Sequence, residues 1–365
     1  MADLHVWVAD GEGRGAWDAL LAAWPRHSVF ATPAYHELFL AGSRSAVCLH
    51  FVHEAGELVY PVILRSLAEL PFIEGPLAGC RDAITAPYGT GGPFVCTTDD
   101  EATLLRGFFK AYGAWCRDTS IVSEYTTFPP VAPKNLGYPG KVSERMPVVV
   151  KPLQGVDLLA DMSKTKRNEV RQAEARGVRV EVDTVGAEVD GFVRAYESTR
   201  LRHEDFDDGL DMSASGVLRI MEALRPNALL FHARQDERVV ASALVLTNGD
   251  TLIYQRAGSL HEALRLRGAQ LLLHGIGEWG RDNGYGWLQI GGGTANDPIG
   301  PLFRYKASFT RAPAVPLLVG RWVIDHDAYA AATEAWSRAT SKAFDSVGQT
   351  GFFPAYRAPS RGELR

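Results

Sequence analysis

The sequence predicts a mixed α/β fold, with α/β or α+β layering, built from two similar units. Helix-type and strand-type apolar patterns alternate along the whole chain. A run of strands followed by a loop, a helix and a strand between residues 229 and 290 has a weaker counterpart between residues 47 and 128. The length of 365 residues also corresponds to two domains of roughly 150 residues each.

Composition excludes several other classes of protein. The 46% hydrophobic content is ordinary for a globular chain and excludes a predominantly disordered protein, a collagen-like repeat and a coiled-coil rod. The 38 lysines and arginines against 43 acidic residues give a net charge of −5. This balance argues against a polycation that coats nucleic acid, but it leaves room for a local basic patch.

The chain also lacks the usual signals for a membrane or an oxidising compartment. No stretch of about 18 apolar residues occurs, and the segment from Met1 to Gly15 has no apolar region of the secretory type. The four cysteines lie far apart and form no Cys-x-x-Cys pair. We therefore expect a cytoplasmic protein, a monomer, without a membrane span, a disulfide framework or a metal site.

The first half begins with two short predicted helices, from Trp17 to Trp24 and from Thr32-Pro33, where Thr caps a helix and Pro fits its first turn. Apolar runs from Val47 to Val52 and from Leu58 to Leu64, with the turn residues Glu54-Ala55-Gly56-Glu57 between them, predict a β-hairpin. The remaining predicted elements are a turn-rich loop from Ala86 to Pro93, a helix from Asp99 to Arg117 and a strand from Ile121 to Phe128.

The second half begins with a predicted short helix from Asp157 to Met162 and a longer one from Ser163 to Ala175, which Gly177 ends. The elements that follow are strands at Val178 to Val182, Leu229 to Ala233, Val239 to Thr247, Thr251 to Gly258, Trp287 to Ile290 and Pro316 to Ile324, and helices at Gly191 to Arg202, Gly268 to Asn283 and Ala328 to Phe344.

The helix from Ser163 to Ala175 is strongly basic. Between Lys164 and Arg179 there are six cations and two acids. Lys164, Arg167 and Arg171 follow the spacing i, i+3 and i+7, which places them on one helix face. Such a stripe suits phosphate groups because each contact is charge-assisted, whereas the plainer interpretation is a solvated helix face.

A second basic segment, Arg265-Leu266-Arg267-Gly268-Ala269-Gln270, lies between a predicted strand and a predicted helix. Acyl-CoA N-acyltransferases of the GNAT superfamily place a Gln/Arg-x-x-Gly-x-Gly/Ala loop at this point, where the N–H groups of the helix terminus hold a pyrophosphate. Gln270 departs from that pattern, since a small residue is expected there. The alternative is an ordinary helix terminus with exposed arginines.

The third segment runs from Gly291-Gly292-Gly293 to Phe309 and contains Phe303-Arg304-Tyr305-Lys306. A glycine run after a strand lets the backbone approach a ligand closely. Lysine is rare here, with 8 lysines against 30 arginines, and Lys306 is the only lysine between Arg167 and Ser341. This choice hints that a compact ammonium group is needed at 306, although a surface lysine after a turn is the plainer interpretation.

Together these segments resemble the FemABX-type aminoacyl transferases. The string S-K-T-K-R-N-E-V-R-Q-A-E-A-R-G-V-R-V from Ser163 is similar to their R-N-x-I-R-x-A-x-x-x-G-V signature. The end of the second unit, G-G-G … F-R-Y-K-A-S-F, is similar to their G-G … (F/Y)-K-x-x-F element. The loop A-P-Y-G-T-G-G-P from Ala86 is similar to their P-Y-G-Y-G-G-P loop. The three motifs come in the family's order over nearly the whole chain.

The resemblance implies two tandem GNAT-like acyltransferase domains that face each other across a cleft. The first comprises residues 1–150 and is completed by the C-terminal segment 312–365, and the second comprises residues 151–311. No heptads occur, so the chain resembles the armless form of the family.

The resemblance also implies an aminoacyl-tRNA-dependent transferase that forms an amide or peptide bond, with charged tRNA as co-substrate and no further cofactor. The acceptor is an amine of a peptidoglycan precursor or of an antibiotic or other natural product. Lys306 supplies positive charge near the tRNA terminus, and Tyr305 packs beside it. The implied substrate-binding residues are Lys164, Arg167, Arg171, Tyr88 and Arg304. No general base is evident, and Asp82 and Glu124 are candidates by position alone.

Two other functions remain open. An acyl-CoA-dependent N-acyltransferase acting on a small amine or sugar would use Arg265, Arg267, Gly268 and Ala269 to bind its cofactor. A non-catalytic binding scaffold with the same fold would bind an acceptor or partner without turnover.

Overall fold

The computed structural model describes residues 2–24, 26–203, 209–294, 297–341 and 352–359. The helices are α1 (Arg14–Ala23), α2 (Pro33–Glu37), α3 (Glu101–Asp118), α4 (Lys164–Ala175), α5 (Val189–Arg200), α6 (Ala214–Ala223), α7 (Gly268–Asp282), α8 (Pro301–Ala307) and α9 (His326–Thr340). The strands are β1 (Asp3–Val8), β2 (Ser45–His53), β3 (Gly56–Ser66), β4 (Arg81–Ile84), β5 (Phe94–Thr98), β6 (Ile121–Thr127), β7 (Lys141–Pro152), β8 (Val178–Asp183), β9 (Ala228–Gln235), β10 (Arg238–Asn248), β11 (Thr251–Ser259), β12 (Trp287–Gly291) and β13 (Val315–Val323). This alternation confirms the predicted mixed α/β fold.

The chain divides into two compact units. Unit 1 contains Met1–Pro25, Phe30–Arg145 and Leu317–Arg365, and unit 2 contains Arg26–Val29 and Met146–Pro316. The short stretch from Arg26 belongs to unit 2 because Arg26 donates to the carbonyl of Gly284 and Ser28 forms a β-bridge with Asn248.

Unit 1 is built on a sheet in the order β1-β2-β3-β4-β6-β13, with β5 paired to the beginning of β3. The β2–β3 hairpin confirms the prediction from the two apolar runs. Helix α3 begins after Asp100, whose carboxylate accepts from the backbone N–H of Thr103. Its apolar positions at helical spacing pack on the sheet and form the core of the unit; they are Leu104, Leu105, Phe108, Phe109 and Tyr112.

Unit 2 is built on a sheet in the order β7-β12-β11-β10-β9-β8, in which β11 and β12 are parallel and the other neighbours are antiparallel. Helices α4 and α7 pack on the face that carries Leu229, Phe231 and Ala233. Helix α5 packs on the opposite face, where a Cβ on Gly191 would lie 2.8 Å from Val239.

The predicted helix from Asp157 to Met162 is wrong, because this segment is a turn. The carboxylate of Asp157 accepts from the backbone N–H groups of Leu159 and Ala160, which closes an Asx-type turn. The ammonium group of Lys151 also binds the carbonyl of Leu158 and the carboxylate of Asp161. These side-chain bonds satisfy polar groups that a helix would otherwise pair internally.

Unit 1 also contains the last part of the chain. Strand β13 pairs with β6 over Val319 to Val323, and α9 follows it. The predicted last helix, from Ala328 to Phe344, is confirmed as far as the structure describes it, and its last three residues lie outside the described part.

Candidate functional site

The ammonium group of Lys306 lies against the glycine run that follows β12. Its Nζ donates to the carbonyl oxygen of Gly292 at 2.9 Å. Gly291 has φ of 95° and a Cβ there would lie 3.2 Å from Nζ, while a Cβ on Gly292 would lie 2.9 Å from Met146 Sδ. Glycine is therefore favoured at 291 by its backbone conformation and by the approach of Lys306, and at 292 by the packing of Met146.

Two effects lower the pKa of Lys306 to about 8, first its burial and then the nearby charge of Arg256. The group is still mostly protonated at neutral pH. An ammonium group has three N–H donors, and within the described residues Gly292 is the one hydrogen-bond acceptor of Lys306. Two donors thus remain for a substrate oxygen.

Strands β11 and β12 open into a fork next to this group. They pair over only three residues each, Thr251 to Ile253 with Trp287 to Gln289. Beyond that point β11 continues to Ser259, while β12 ends at Gly291. The Gly292 carbonyl, which accepts from Lys306, thus follows directly after the end of β12. At this point the two strands no longer pair with each other, so backbone groups can bind other partners.

Tyr305 packs beside Lys306 on α8. Its ring meets Phe309 edge to face with the centroids 5.2 Å apart, and the Nζ of Lys166 lies 4.6 Å from the centroid of its ring. Burial raises the pKa of Tyr305, and the charges of Tyr254 and Glu169 act in the same direction. Tyr305 therefore stays neutral at physiological pH and packs or donates a hydrogen bond.

The basic helix is confirmed as α4, with Ser163 as its N-cap. Lys164 and Arg171 are exposed on it. Arg167 instead turns back and donates to the carbonyls of Met162 at 2.6 Å and Ala160 at 3.2 Å. Its guanidinium group thus stabilises the turn before α4, and the exposed part of the predicted stripe consists of Lys164 and Arg171.

The segment from Arg265 to Ala269 forms the end of a 3₁₀ turn and the first residues of α7. Arg267 precedes the helix with φ of 61°, and Gly268 packs so closely on β10 that a Cβ would lie 2.7 Å from Val240. The glycine at this position therefore serves helix packing.

The two basic segments that the sequence analysis treated as separate sites lie side by side. Arg267 lies 3.6 Å from the carboxylate of Glu169 on α4, and Arg176 donates to the carbonyl of Arg265 at 2.6 Å. These contacts join α4 to the start of α7 through Glu169 and Arg176, and we call the cations of the two segments, Lys164, Arg171, Arg265 and Arg267, the α4–α7 surface.

Two further predicted residues lie elsewhere. Tyr88 belongs to unit 1, has φ of 56° and is 43% exposed, with its ring 6.0 Å from that of Phe39. An exposed aromatic residue in this strained backbone conformation is typical of a binding loop. Arg304 is exposed on α8 and donates to the carbonyl of Ile299 at 3.3 Å.

Neither carboxylate proposed as a base is accessible. Asp82 is 1% exposed and lies between the guanidinium groups of Arg65 and Arg357. Glu124 is completely buried, and Tyr60 and Tyr112 each donate to it at 2.7 Å. Both residues hold unit 1 together, so the candidate roles as proton acceptor are wrong.

The comparisons with known proteins concern the fold. Among solved structures, the chain is similar to FemX, with 14% identity, a TM-score of 0.63 and coverage of 90% of this chain and 99% of that chain. The chain has a FemX-like fold. Residues 160–307 match the acetyltransferase (GNAT) domain family, and this range includes Lys306, α4 and the start of α7.

Two other solved structures show the same fold at lower similarity. One is the C-terminal domain of a putative lysylphosphatidylglycerol synthetase from Agrobacterium fabrum, with 15% identity, a TM-score of 0.52 and coverage of 89% of this chain and 97% of that chain. The other is L-PGS from Bacillus licheniformis, with 11% identity, a TM-score of 0.50 and coverage of 84% and 91%. No curated protein matches the chain.

The FemX-like fold confirms the predicted FemABX-type, GNAT-like architecture, and the GNAT match supports a transferase of the acyltransferase type. In the described ranges, no helix is long and apolar enough to cross a membrane. The same part of the chain holds no group of three or more His, Cys, Asp or Glu side chains that could bind a metal ion.

Sequence reasoning missed three residues that lie near Tyr305 and Phe309. Lys166 and Glu169 form an ion pair at 2.6 Å beside Tyr305, and Lys151 donates to the carbonyl of Phe309 at 2.8 Å. For the two lysines, the available signal was the rarity of lysine in this chain, which was applied to Lys306 alone.

Proposed function

We propose that this protein is an aminoacyl-tRNA-dependent transferase that joins an amino acid to an amine acceptor through an amide bond. The observation that carries the proposal is the ammonium group of Lys306, held at the Gly292 carbonyl beside the β11–β12 fork in a FemX-like fold. The acceptor is a peptidoglycan precursor or a natural product with a free amine, and the reaction takes place in the cytoplasm.

The reaction is aminolysis of an ester. The acceptor nitrogen attacks the aminoacyl carbonyl carbon, a C–N bond forms, the C–O bond to the tRNA ribose breaks, and the proton of the amine ends on the departing ribose oxygen. Negative charge develops on the carbonyl oxygen and then on the leaving oxygen. The two free N–H donors of Lys306 stabilise that charge, and Tyr305 fixes the helix that carries them.

The α4–α7 surface suits a polyanionic donor. Lys164 and Arg171 on α4 and Arg265 and Arg267 before α7 are four cations on two adjoining segments, and we assign them to phosphates of the tRNA strand. Arg167 stabilises the turn that precedes α4 and so helps to hold this helix in place. Roles of Tyr88 and of Arg304 in substrate binding stay predictions.

An acyl-CoA-dependent N-acyltransferase is the second candidate. The observation in its favour is the match of residues 160–307 to the acetyltransferase (GNAT) domain family, with Arg265, Arg267, Gly268 and Ala269 at the start of α7. The backbone N–H groups there would bind the pyrophosphate of CoA.

One experiment separates the candidates. The protein is incubated with total tRNA charged with radiolabelled amino acids, or with radiolabelled acetyl-CoA, and with a peptidoglycan-precursor peptide that carries a free amine or a small-molecule cell extract. We expect an alkali-stable labelled amide from charged tRNA alone, abolished by RNase. Transfer from acetyl-CoA would support the second candidate, and acceptor binding without turnover from either donor would support a non-catalytic scaffold.

The variant Lys306→Ala links the activity to the site. We expect its turnover to fall by about a hundredfold, the loss typical of removing one donor that stabilises an oxyanion. Circular dichroism and thermal unfolding serve to show that the fold is retained. An unchanged rate would remove Lys306 from the mechanism.

A further inference from the structure

Lys166 differs from the other cations of α4. Its side chain is only 11% exposed, whereas Lys164 and Arg171 are exposed. A charge in such a place needs partners because water no longer solvates it. The Nζ of Lys166 lies 2.6 Å from the carboxylate of Glu169, 4.6 Å from the centroid of the Tyr305 ring and 5.6 Å from that of Phe309.

Glu169 holds Lys166 from one side only. Its Oε2 binds the ammonium group, while its Oε1 lies 3.6 Å from Arg267, and its side chain is 14% exposed. Two aromatic rings and one carboxylate therefore enclose the ammonium group. This enclosure argues against Lys166 as a further phosphate ligand, because a phosphate would have to displace the Glu169 carboxylate or the rings.

Helix α8 depends on such contacts. It has seven residues and no side-chain cap at Gly300, and its contacts with the core are made by the partly buried Phe303, Tyr305 and Ala307. Its C-terminal end is held from outside, since the backbone N–H of Ser163 donates to the carbonyl of Ser308 at 3.0 Å. The aromatic pair Tyr305 and Phe309 adds side-chain contacts on the same side, and Lys166 lies over both rings.

We propose that Lys166 is a positioning residue: its ammonium group, fixed by Glu169, holds the Tyr305 ring and the end of α8, and thereby keeps Lys306 Nζ at the Gly292 carbonyl. Only the catalytic consequence of this arrangement rests on the proposed function. The position and hydration of Lys306 are properties of the protein itself and are measured without substrate.

The experiment measures the pH dependence of acetylation of Lys306 by a water-soluble amine-reactive ester, followed by mass spectrometry of the peptide that contains it. The midpoint reports the pKa of the amine, and the plateau rate at high pH reports its accessibility. The wild-type midpoint is expected near pH 8, since burial and Arg256 lower the pKa of Lys306 to about 8 from an ordinary 10.5. The variants are Lys166→Met, Lys166→Arg and Glu169→Gln.

In Lys166→Met, α8 loosens, water reaches Lys306 and the midpoint rises by about one pH unit or more. Glu169→Gln gives a smaller rise in the midpoint because the Lys166 ammonium group keeps its contacts with the Tyr305 and Phe309 rings. Lys166→Arg keeps much of the wild-type midpoint because a guanidinium group also stacks on aromatic rings. Gln172→Met on the exposed side of α4 is the matched control and leaves the midpoint unchanged.

An unchanged midpoint in folded Lys166→Met overturns the proposal. If Lys166→Met does not fold, Glu169→Gln decides the question in the same way. Where transfer activity is found, Lys166→Met lowers kcat with little change in KM, which separates positioning from substrate binding. If the wild type transfers nothing but the midpoint still shifts, the proposed function fails and the positioning role stands.

Discussion

The substitution Lys151→Met tests whether a single buried lysine holds together the base of the site. Its side chain is 3% exposed, and its ammonium group donates to the carbonyls of Leu158 at 3.0 Å and Phe309 at 2.8 Å and to the carboxylate of Asp161 at 2.7 Å. Each of its three N–H donors thus has one acceptor, two of them in the turn before α4 and the third in the segment after α8.

The expected loss in the free energy of unfolding of Lys151→Met comes from the polar groups that methionine leaves unpaired. Removing one partner of a buried ion pair costs about 3–5 kcal/mol because the other charge remains. Asp161 is 14% exposed and keeps the backbone N–H of Arg311 at 3.0 Å, so its carboxylate is partly compensated. We therefore expect a loss near the lower limit, about 3 kcal/mol in the free energy of unfolding.

Urea unfolding followed by circular dichroism measures this loss. Lys110→Met, on the exposed side of α3, is the matched control and should change the free energy of unfolding by less than about 0.5 kcal/mol. Lys151→Arg should not restore stability, because a planar guanidinium group does not fit three acceptors placed around one ammonium nitrogen. A loss below about 1 kcal/mol for Lys151→Met would refute the reasoning from buried unpaired groups.

Three further predictions follow from other contacts. Because burial lowers the pKa of Lys306 to about 8, the transfer rate of the wild type should fall as pH rises through 8. Lys306→Arg stays charged, so its transfer rate should show no such fall. Identical pH–rate profiles for the two proteins would contradict a role for the charge. Gly291→Ala places a Cβ 3.2 Å from the Lys306 amine and should lower the transfer rate at least tenfold. Gly177→Ala, with φ of 76° and nothing within 4 Å of the added Cβ, is the control and should leave the transfer rate unchanged. If both variants lose the same activity, backbone strain and not the contact with Lys306 is the cause. Tyr60→Phe removes a 2.7 Å hydrogen bond to the buried Glu124 and should cost about 1.5–3 kcal/mol in urea unfolding, and a loss within experimental error would mean that this bond is not stabilising.

Local patterns were sufficient for the elements whose contacts are close in sequence. The hairpin β2–β3, helix α3 and helix α4 follow from apolar spacing, turn residues and N-caps, and the predicted bounds agree within a few residues. The glycine run from 291 was predicted to let a ligand approach, and in the structure the nearest groups are Lys306 at Gly291 and Met146 and Pro147 at Gly292.

Contacts between distant parts of the chain decided the rest. The turn at Asp157 to Met162 was predicted as a helix because its residues permit one, and the ammonium group of Lys151 that helps to hold it comes from a neighbouring strand. Arg167 matches the spacing of a phosphate-binding face, yet its guanidinium group caps the preceding turn. Helix α6 was missed although its apolar residues are well spaced.

The lysines of this chain have a structural explanation that the sequence alone suggested only for one of them. The chain has 8 lysines and 30 arginines, and three of those lysines meet at the segment from Tyr305 to Phe309. Lys151 binds three acceptors around one nitrogen, Lys166 fits between two rings and a carboxylate, and Lys306 approaches a glycine carbonyl. Each of these contacts is made by a single ammonium nitrogen, and at Lys151 the three acceptors around one nitrogen do not fit a planar guanidinium group. Three lysines of a lysine-poor chain therefore make their contacts at one short segment, and no single motif in the sequence predicted that they would meet there.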